Sequence, residues 1–157
     1  MVYTGACGRR AQLELMQTVR RTPEVSLKEV FLRATKGLPV TKDHRSEAVA
    51  EALRYLQDGF GAHYATGVAT DEAILVGDNA YAWAVETIAR LDEPRFVGVA
   101  SHMIRDGAGE ISRGNAVSIE IWTPHLAQLL AIISGESEER SEARIRAAIE
   151  EVDGAGE

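Results

Sequence analysis

The stretch that most constrains the fold is residues 95–120, in which two short apolar runs flank Gly107-Ala108. A Gly-X pair suits the two-residue type II′ turn of a β-hairpin. When the runs are paired about this turn, apolar residues face each other on one surface and opposite charges face each other on the other. The facing pairs are Phe96–Ile119, Gly98–Val117, Ile104–Ile111, Arg95–Glu120 and Arg105–Glu110. Because a slip of one residue would turn a whole strand over, this agreement predicts a hairpin.

A second hairpin is predicted earlier in the chain, from the runs AHYATGVAT (62–70) and EAILVG (72–77), with a tight turn near Asp71. Residues 51–71 also align without gaps on residues 86–106, and the two stretches share a pattern of helix, short loop and strand. This pattern indicates an internal repeat. Two helix-plus-hairpin units predict a four-stranded antiparallel sheet with helices on one face.

Helices are predicted around the hairpins from apolar spacing and from residues that favour helix ends. Ser26 and Glu29 match a capping box, and Asp78 is placed to cap a helix directly after the run AILVG. Thr123-Pro124 is typical of a helix start, and Gly135 of a helix end. The predicted helices cover about residues 9–21, 26–36, 43–58, 79–91, 123–134 and 137–152.

The predicted fold class is therefore α+β, with N-terminal helices, a four-stranded antiparallel sheet from two helix-plus-β-hairpin units, and two C-terminal helices. A chain of 157 residues has the length of one domain. We expect a helical N-terminal extension (1–42), an α-ββ-α-ββ-α core (43–135), and a C-terminal helix with a frayed tail (136–157). The element order of residues 44–135 is similar to that of the roadblock/longin group of small α/β scaffolds, a resemblance of topology that involves no motif.

Composition indicates a globular protein of a reducing compartment. Apolar residues make up 45% of the chain and charged residues 26%, which are ordinary globular proportions. The strongest apolar run, at 126–133, is shorter than the roughly 18 residues that a membrane span needs, and the N-terminus lacks the apolar core of a secretory signal. The single cysteine, Cys7, cannot form an internal disulfide. We therefore expect a cytoplasmic protein without a membrane partner.

The charge distribution argues against nucleic acid as a partner. Residues 1–54 hold ten Lys/Arg and six Asp/Glu, a balance of +4, whereas residues 55–157 hold seven and eighteen, a balance of −11. A winged-helix-like DNA-binding regulator built from residues 9–77 is one alternative, because three helices and a hairpin would carry the basic part. The acidic side chains that the third helix exposes would repel phosphates, and the connection at 37–43 is longer than a helix-turn-helix allows.

Ser101-His102 and the other histidines supply weak catalytic candidates. Neighbours in a strand point to opposite faces, so Ser101 and His102 cannot form a nucleophile–base pair with each other. A polar pocket near the sheet is the remaining possibility, and it would make the chain a small enzyme or a ligand-binding protein. Its candidate residues are His63, His102, Asp78 and Glu120. The sequence has none of the common catalytic or metal-binding motifs, and we expect neither a cofactor nor a metal.

An interaction surface is the function that the sequence favours most. Trp83 lies off the apolar stripe of its predicted helix, which is typical of an interface anchor, although a helix from the N-terminal region could also cover it. The helix after Pro124 is apolar on more than one side, which indicates either full burial or a subunit contact. We therefore expect a non-catalytic protein-interaction or regulatory domain that forms homo-oligomers or binds another protein. The expected interface residues are Trp83, Leu126, Leu130 and Ile133.

Overall fold

The structure, a computed structural model, describes residues 20–39, 44–65 and 67–156. This part of the chain contains six helices and no strand. None of these helices has the length and apolar character that a membrane crossing requires. The helices are α1 (Leu27–Ala34), α2 (His44–Tyr64), α3 (Asp71–Ala89), α4 (Pro94–Ser112), α5 (Ile119–Ser134) and α6 (Glu138–Gly154).

The prediction of an α+β fold is wrong, and the first predicted hairpin shows one reason. Residues 62–77 form the end of α2, a short loop and the start of α3. Thr70 caps α3 by accepting a hydrogen bond from the Ala73 N–H on its side-chain oxygen, at 3.1 Å. Acidic residues in the first turn, Asp71 and Glu72, favour the positive end of the helix dipole. Asp78 therefore lies inside α3 rather than at its N-cap.

The second predicted hairpin is also helical, because residues 95–112 belong to α4. Pro94 occupies the first turn, and the carboxylate of the N-cap Glu93 accepts a hydrogen bond from the Arg95 N–H at 3.2 Å. Gly107-Ala108 lies within the helix instead of forming a turn. The buried residues follow the three- and four-residue spacing of a helix, namely Phe96, Val99, Ala100, Met103 and Gly107. This spacing outweighs the strand register that the same residues also satisfy.

Four further predictions depended on these hairpins, and each lacks its structural basis in the described residues. The four-stranded antiparallel sheet is absent from the described residues, and so is the topological likeness to the roadblock/longin group. The repeat of helix-plus-hairpin units has no structural counterpart there. The winged-helix alternative lacks the hairpin that would form its wing, because residues 62–77 are mainly helical.

Several helix ends were predicted from local signals that the structure confirms. The Ser26 hydroxyl accepts a hydrogen bond from the Glu29 N–H at 3.2 Å, and Ser137 caps α6 in the same way. Gly135 ends α5 in the left-handed conformation, with φ 73°. The start of α5 was predicted too late, since the helix begins at Ile119 and holds Pro124 within it.

Two other predicted helices differ in their bounds from the structure or lie mostly outside the described residues. α2 continues through Gly59 and Gly61 to Tyr64, although both glycines were expected to end it. The predicted helix at 9–21 lies mostly outside the described residues, and its last two residues, Arg20 and Arg21, are not helical.

The core is built around α5, whose large apolar side chains pack against α2, α4 and α6. Trp122 is fully buried and donates a hydrogen bond from Nε1 to the Met103 carbonyl at 3.0 Å. The Phe60 ring meets Trp122 edge-on, with 5.0 Å between centroids. α2 touches α1, α3, α4 and α5, so it is the helix through which the rest of the bundle holds α3.

Candidate interaction surface

The packed α3 face, which consists of Gly77, Ala80, Ala84 and Ile88, is the side of α3 that its own chain buries. The backbones of α2 and α3 approach closely here. A Cβ on Gly59 would lie 3.0 Å from the Gly77 carbonyl oxygen and 2.9 Å from the Tyr81 ring. Small residues let two helices come this near. Gly59 therefore lies inside α2 because the close packing of α2 against α3 leaves no room for a side chain there. It does not mark the end of the helix.

The outer α3 face, which consists of Leu75, Val76, Ala82 and Trp83, lies on the other side of the helix and is exposed. Leu75 is 70% exposed, Val76 56% and Trp83 46%. These positions share one side because α-helical residues seven apart, such as Leu75 and Ala82 or Val76 and Trp83, return to nearly the same direction. In the part of the chain that the structure describes, every exposed large hydrophobic residue falls in or just before α3, namely Val68, Ile74, Leu75, Val76, Trp83 and Val85. The exposed apolar surface is thus concentrated in one place.

Trp83 is held in position from α2. Its indole stacks on the Tyr55 ring with 6.4 Å between centroids and 26° between planes. The guanidinium of Arg54 lies over the Tyr55 ring, 4.2 Å from its centroid, and Arg54 is itself paired with Glu51 and Asp58. An anchor that is already ordered loses less side-chain entropy on binding than a free one.

The charges beside the outer α3 face are unevenly placed along the helix. Asp71 and Glu72 lie in its first turn. At the other end, Arg90 caps the helix and pairs with Glu86 one turn earlier. One end of the face is therefore acidic, whereas the other end carries an acid and a base that pair with each other.

The residues predicted for the interface fall in two different places. Leu126, Leu130 and Ile133 are in the core of their own chain, with at most 5% exposed, so α5 is apolar on several sides because it is buried. Trp83 is exposed as the interface prediction requires. Leu75 and Val76 were missed because the run AILV was read as a strand. As a helix, the same run carries apolar side chains around more than one side, which is the signal that could have identified them.

The catalytic candidates do not form one group. His63 and Asp78 lie together, with His63 Nε2 3.2 Å from Asp78 Oδ1 and 3.0 Å from the Ile74 carbonyl oxygen. Since both neighbours are acceptors, Nε2 carries the proton in this arrangement. The imidazole also packs edge-on against Tyr64 and Tyr81. His63 thus fastens the end of α2 to α3.

His102 lies elsewhere, on α4, where its ring is 6.5 Å from that of His125. His125 Nε2 is 2.9 Å from Asp106 Oδ2. Arg105 and then His125 lower the pKa of the Asp106 carboxyl by hydrogen bonding, against the opposing effect of burial. Ser101 donates its hydroxyl hydrogen to the Val97 carbonyl. Consecutive helix residues do not face each other, so Ser101 and His102 remain separated, although by helix rather than strand geometry.

Glu120 is in a third place, paired with Arg146 at 2.9 Å on the exposed surface between α5 and α6. Within the described ranges, no three His, Cys, Asp or Glu side chains are grouped so that they could hold a metal ion. The candidate residues therefore supply separate structural contacts rather than the converging groups that a catalytic pocket needs.

An open groove of about 620 Å³ lies beside His102, between α4, α5 and the start of α6. Two of its charged groups, Arg95 and Glu136, are already paired with neighbours. Arg95 is bound by both carboxylate oxygens of Glu93, and Arg144 lowers the pKa of Glu136 by hydrogen bonding. This pairing leaves few free charges to recognise a ligand.

The chain matches no protein-family model, and no curated protein or solved structure is similar enough to match it.

Proposed function

We propose that this protein is a non-catalytic interaction domain that associates with a second copy of itself through the outer α3 face. The observation that carries the proposal is the gathering of the exposed large apolar side chains on and just before one helix. Contiguous exposed apolar surface is typical of a protein–protein contact. Trp83 supplies the anchor, since a tryptophan already ordered by stacking is the residue type that most often dominates binding energy.

The positions of the apolar side chains favour a second copy in an antiparallel arrangement. In such a dimer a two-fold axis passes beside Asn79. Leu75 of each copy then lies opposite Trp83 of the other, because Leu75 is four positions before Asn79 and Trp83 is four positions after it. The same arrangement places Glu72 of each copy opposite Glu86 of the other, and Arg90, which pairs with Glu86, supplies a positive charge at that end. Identical surfaces can meet in this way only about a two-fold axis.

The size of the surface favours weak association. A helix of 19 residues is about 28 Å long and roughly 10 Å wide. One such face, roughly 280 Å² on each copy, is well below the about 800 Å² per partner of a standard interface, and contacts of this small size are transient. We therefore expect a dimer whose population depends on concentration in the micromolar range.

Sedimentation equilibrium over a range of concentrations tests the proposal. Leu75→Glu puts a charge in the centre of the outer α3 face and should weaken the dimer at least tenfold, because the carboxylate would lose its water in the contact. Trp83→Ala should weaken it by a similar factor. The matched control is Ala143→Glu, which adds the same charge at an exposed position of α6 and should leave the dimer unchanged. A monomer at every concentration, or equal weakening by all three changes, would contradict the proposal.

A further inference from the structure

We infer that a hollow between α1 and α6 binds a phosphate group, either that of free inorganic phosphate or that of a small phosphate monoester. The basic hollow has a volume of about 180 Å³ and is lined by the cationic side chains of Arg33, Lys36 and Arg144. Its two helices take no part in the outer α3 face, so the inference does not depend on the proposed dimer.

The packing of α1 on α6 brings the three cations together. Arg33 lies in the last turn of α1 and Lys36 follows the end of this helix, whereas Arg144 lies within α6. Ala34 and Ala148, which are nearly buried, form part of the wall between them. Because an alanine side chain ends at Cβ, the long cationic side chains surround open space rather than packed atoms.

The cations keep hydrogen-bond donors that no group in the described part of the chain uses. An arginine guanidinium carries five N–H donors in a fixed fork. Arg33 donates from Nη1 to Glu151 at 3.3 Å, and Arg144 donates from Nε and Nη2 to Glu136 at 3.0 and 3.3 Å. Lys36 is exposed and has no ion-pair partner among the described residues. Each of the three side chains therefore has donors left for an anion.

The C-terminal end of α1 does not need these cations for its own carbonyl groups. The Phe31 carbonyl accepts a hydrogen bond from the Thr35 N–H at 3.2 Å, and the Leu32 carbonyl accepts one from the Thr35 hydroxyl at 2.8 Å. The Arg33 carbonyl accepts from the Lys36 N–H at 3.2 Å. A cation near a helix end often binds the last carbonyls. Since these carbonyls are bonded within the backbone turn, the two side chains are available to a ligand.

The charge of the basic hollow is opposite in sign to that of the whole chain. The chain carries a net charge of −7, whereas three cations and the carboxylate of Glu151 line the hollow, a balance of +2. Glu136, which pairs with Arg144, lowers this balance to +1. The open groove beside α4 differs, because Arg95 and two carboxylates line it, a balance of −1. An anion is therefore attracted to the hollow and not to the groove.

Size and charge favour a phosphate group over other anions. A volume of about 180 Å³ corresponds to roughly six water molecules of about 30 Å³ each, and it is smaller than the roughly 300–1,000 Å³ of pockets for larger ligands. A phosphate group carries close to two negative charges at neutral pH and three acceptor oxygens. It can accept hydrogen bonds from both guanidinium groups and the ammonium group at once, whereas a carboxylate has only two oxygens and one charge.

The bound phosphate group takes the place of Glu151 at Arg33. The contact between these two side chains is 3.3 Å long, and they are 59% and 38% exposed respectively. An ion pair this exposed contributes little to stability. Exchange of the carboxylate for a dianion therefore costs the fold little, because the carboxylate moves into water.

Titration of the full-length protein at low ionic strength tests the inference. The ligands are inorganic phosphate and glycerol 3-phosphate, with acetate as the carboxylate control. Backbone amide chemical shifts follow binding, and shifts at residues 33–37 and 144–151 locate the ligand in the basic hollow. Lys36→Gln removes the unpaired cation, and Lys36→Arg keeps its charge. The matched control is Arg113→Gln, which removes one positive charge at the end of α4, outside the hollow.

We expect saturable binding of phosphate at least tenfold tighter than that of acetate. Lys36→Gln should weaken it about tenfold, because one charge-assisted hydrogen bond is lost. Lys36→Arg and Arg113→Gln should change it less than about twofold. Tighter binding of inorganic phosphate would identify the free ion as the ligand, and tighter binding of glycerol 3-phosphate would identify a monoester, so either result supports the inference.

Three results would overturn the inference. The first is the lack of saturable binding for both phosphate ligands, and the second is binding whose chemical shifts lie elsewhere in the chain. The third is equal weakening by Lys36→Gln and Arg113→Gln, which would show that the ligand responds only to the total charge of the protein.

Discussion

The two sides of α3 have similar apolar content but opposite surroundings. The packed α3 face is made mainly of small residues, Gly77, Ala80 and Ala84, and the chain buries it against α2. The outer α3 face carries larger side chains, Leu75, Val76 and Trp83, and remains exposed. Small residues allow the backbones to approach, whereas the larger ones offer area to a partner that is not part of the bundle.

Apolar composition alone therefore does not show which side of a helix the chain itself uses. A helix that is apolar beyond one stripe is either buried all round or completes its packing with another surface. α5 is the first case, since its side chains fill the core, and we propose that α3, whose outer face is exposed, is the second. What separates them is the number of neighbouring helices, because α5 has partners on several sides and α3 mainly contacts α2 and α4.

The largest difference between the two faces should appear when a large side chain is truncated on each. Ile88 is fully buried, so Ile88→Ala should lower the free energy of unfolding by about 2–4 kcal/mol through lost burial and a residual cavity. Leu75→Ala should change it by less than about 0.5 kcal/mol in the monomer. Urea unfolding at concentrations below the dimer range measures both. Comparable losses would mean that the outer face contributes to the monomer fold.

A smaller effect should follow from adding one carbon to the packed face. In Gly77→Ala the new methyl group would overlap the His63 ring and lie 3.0 Å from the Gly59 carbonyl oxygen. We expect a loss of about 1–3 kcal/mol from this overpacking. Gly61→Ala is the matched control on α2, because nothing lies within 4 Å of the added carbon.

The control should gain up to about 1 kcal/mol from the better helix propensity of alanine. Thermal or urea unfolding of both variants distinguishes close packing from propensity by the sign of the change. If Gly77→Ala were as stable as Gly61→Ala, the close approach of α2 and α3 would not be a tight contact.

Local signals in the sequence predicted helix ends well where one residue type satisfies a backbone group. The Ser26 cap and the end at Gly135 depend only on neighbouring atoms. Gly59 and Gly61 were misread as helix ends because a glycine inside a helix has the same local signature as one that stops it. Tertiary contacts decide whether a neighbouring helix requires the absence of a side chain at a glycine. A short stretch of sequence does not contain these contacts.

The sheet was predicted from a register that fitted residues 95–120 by coincidence. Phe96, Val99, Ala100 and Met103 have helical spacing, and they also lie in runs short enough to be read as strands. Pro94 in the first turn favoured the helix. Trp83 could be identified from the sequence as a candidate interface residue because it lies off the apolar stripe of its own predicted helix. Leu75 could not, since its exposure became evident only after the run AILV was assigned to α3.

The smallest effect should come from the hydroxyl of Tyr81, the polar group that lies at the edge of the packed face without a hydrogen-bond partner. Burial, followed by Tyr64 and Asp78, raises the pKa of the Tyr81 phenol above its ordinary value of 10.0. Because the folded state disfavours the phenolate, the unfolded chain releases its proton first as the pH rises. Stability is therefore retained below pH 10 and falls above it.

Tyr81→Phe should change the free energy of unfolding at pH 7 by less than about 1 kcal/mol, and in the stabilising direction, since an unpaired buried hydroxyl is removed. Above pH 10 the variant should lose less stability than the unchanged protein, by a margin below about 1 kcal/mol at pH 10.5. Urea midpoints at pH 7, 10 and 10.5 measure both effects. A parallel decline in the two proteins would show that the hydroxyl reaches solvent, and the packed face would then be more open than its glycine contacts imply.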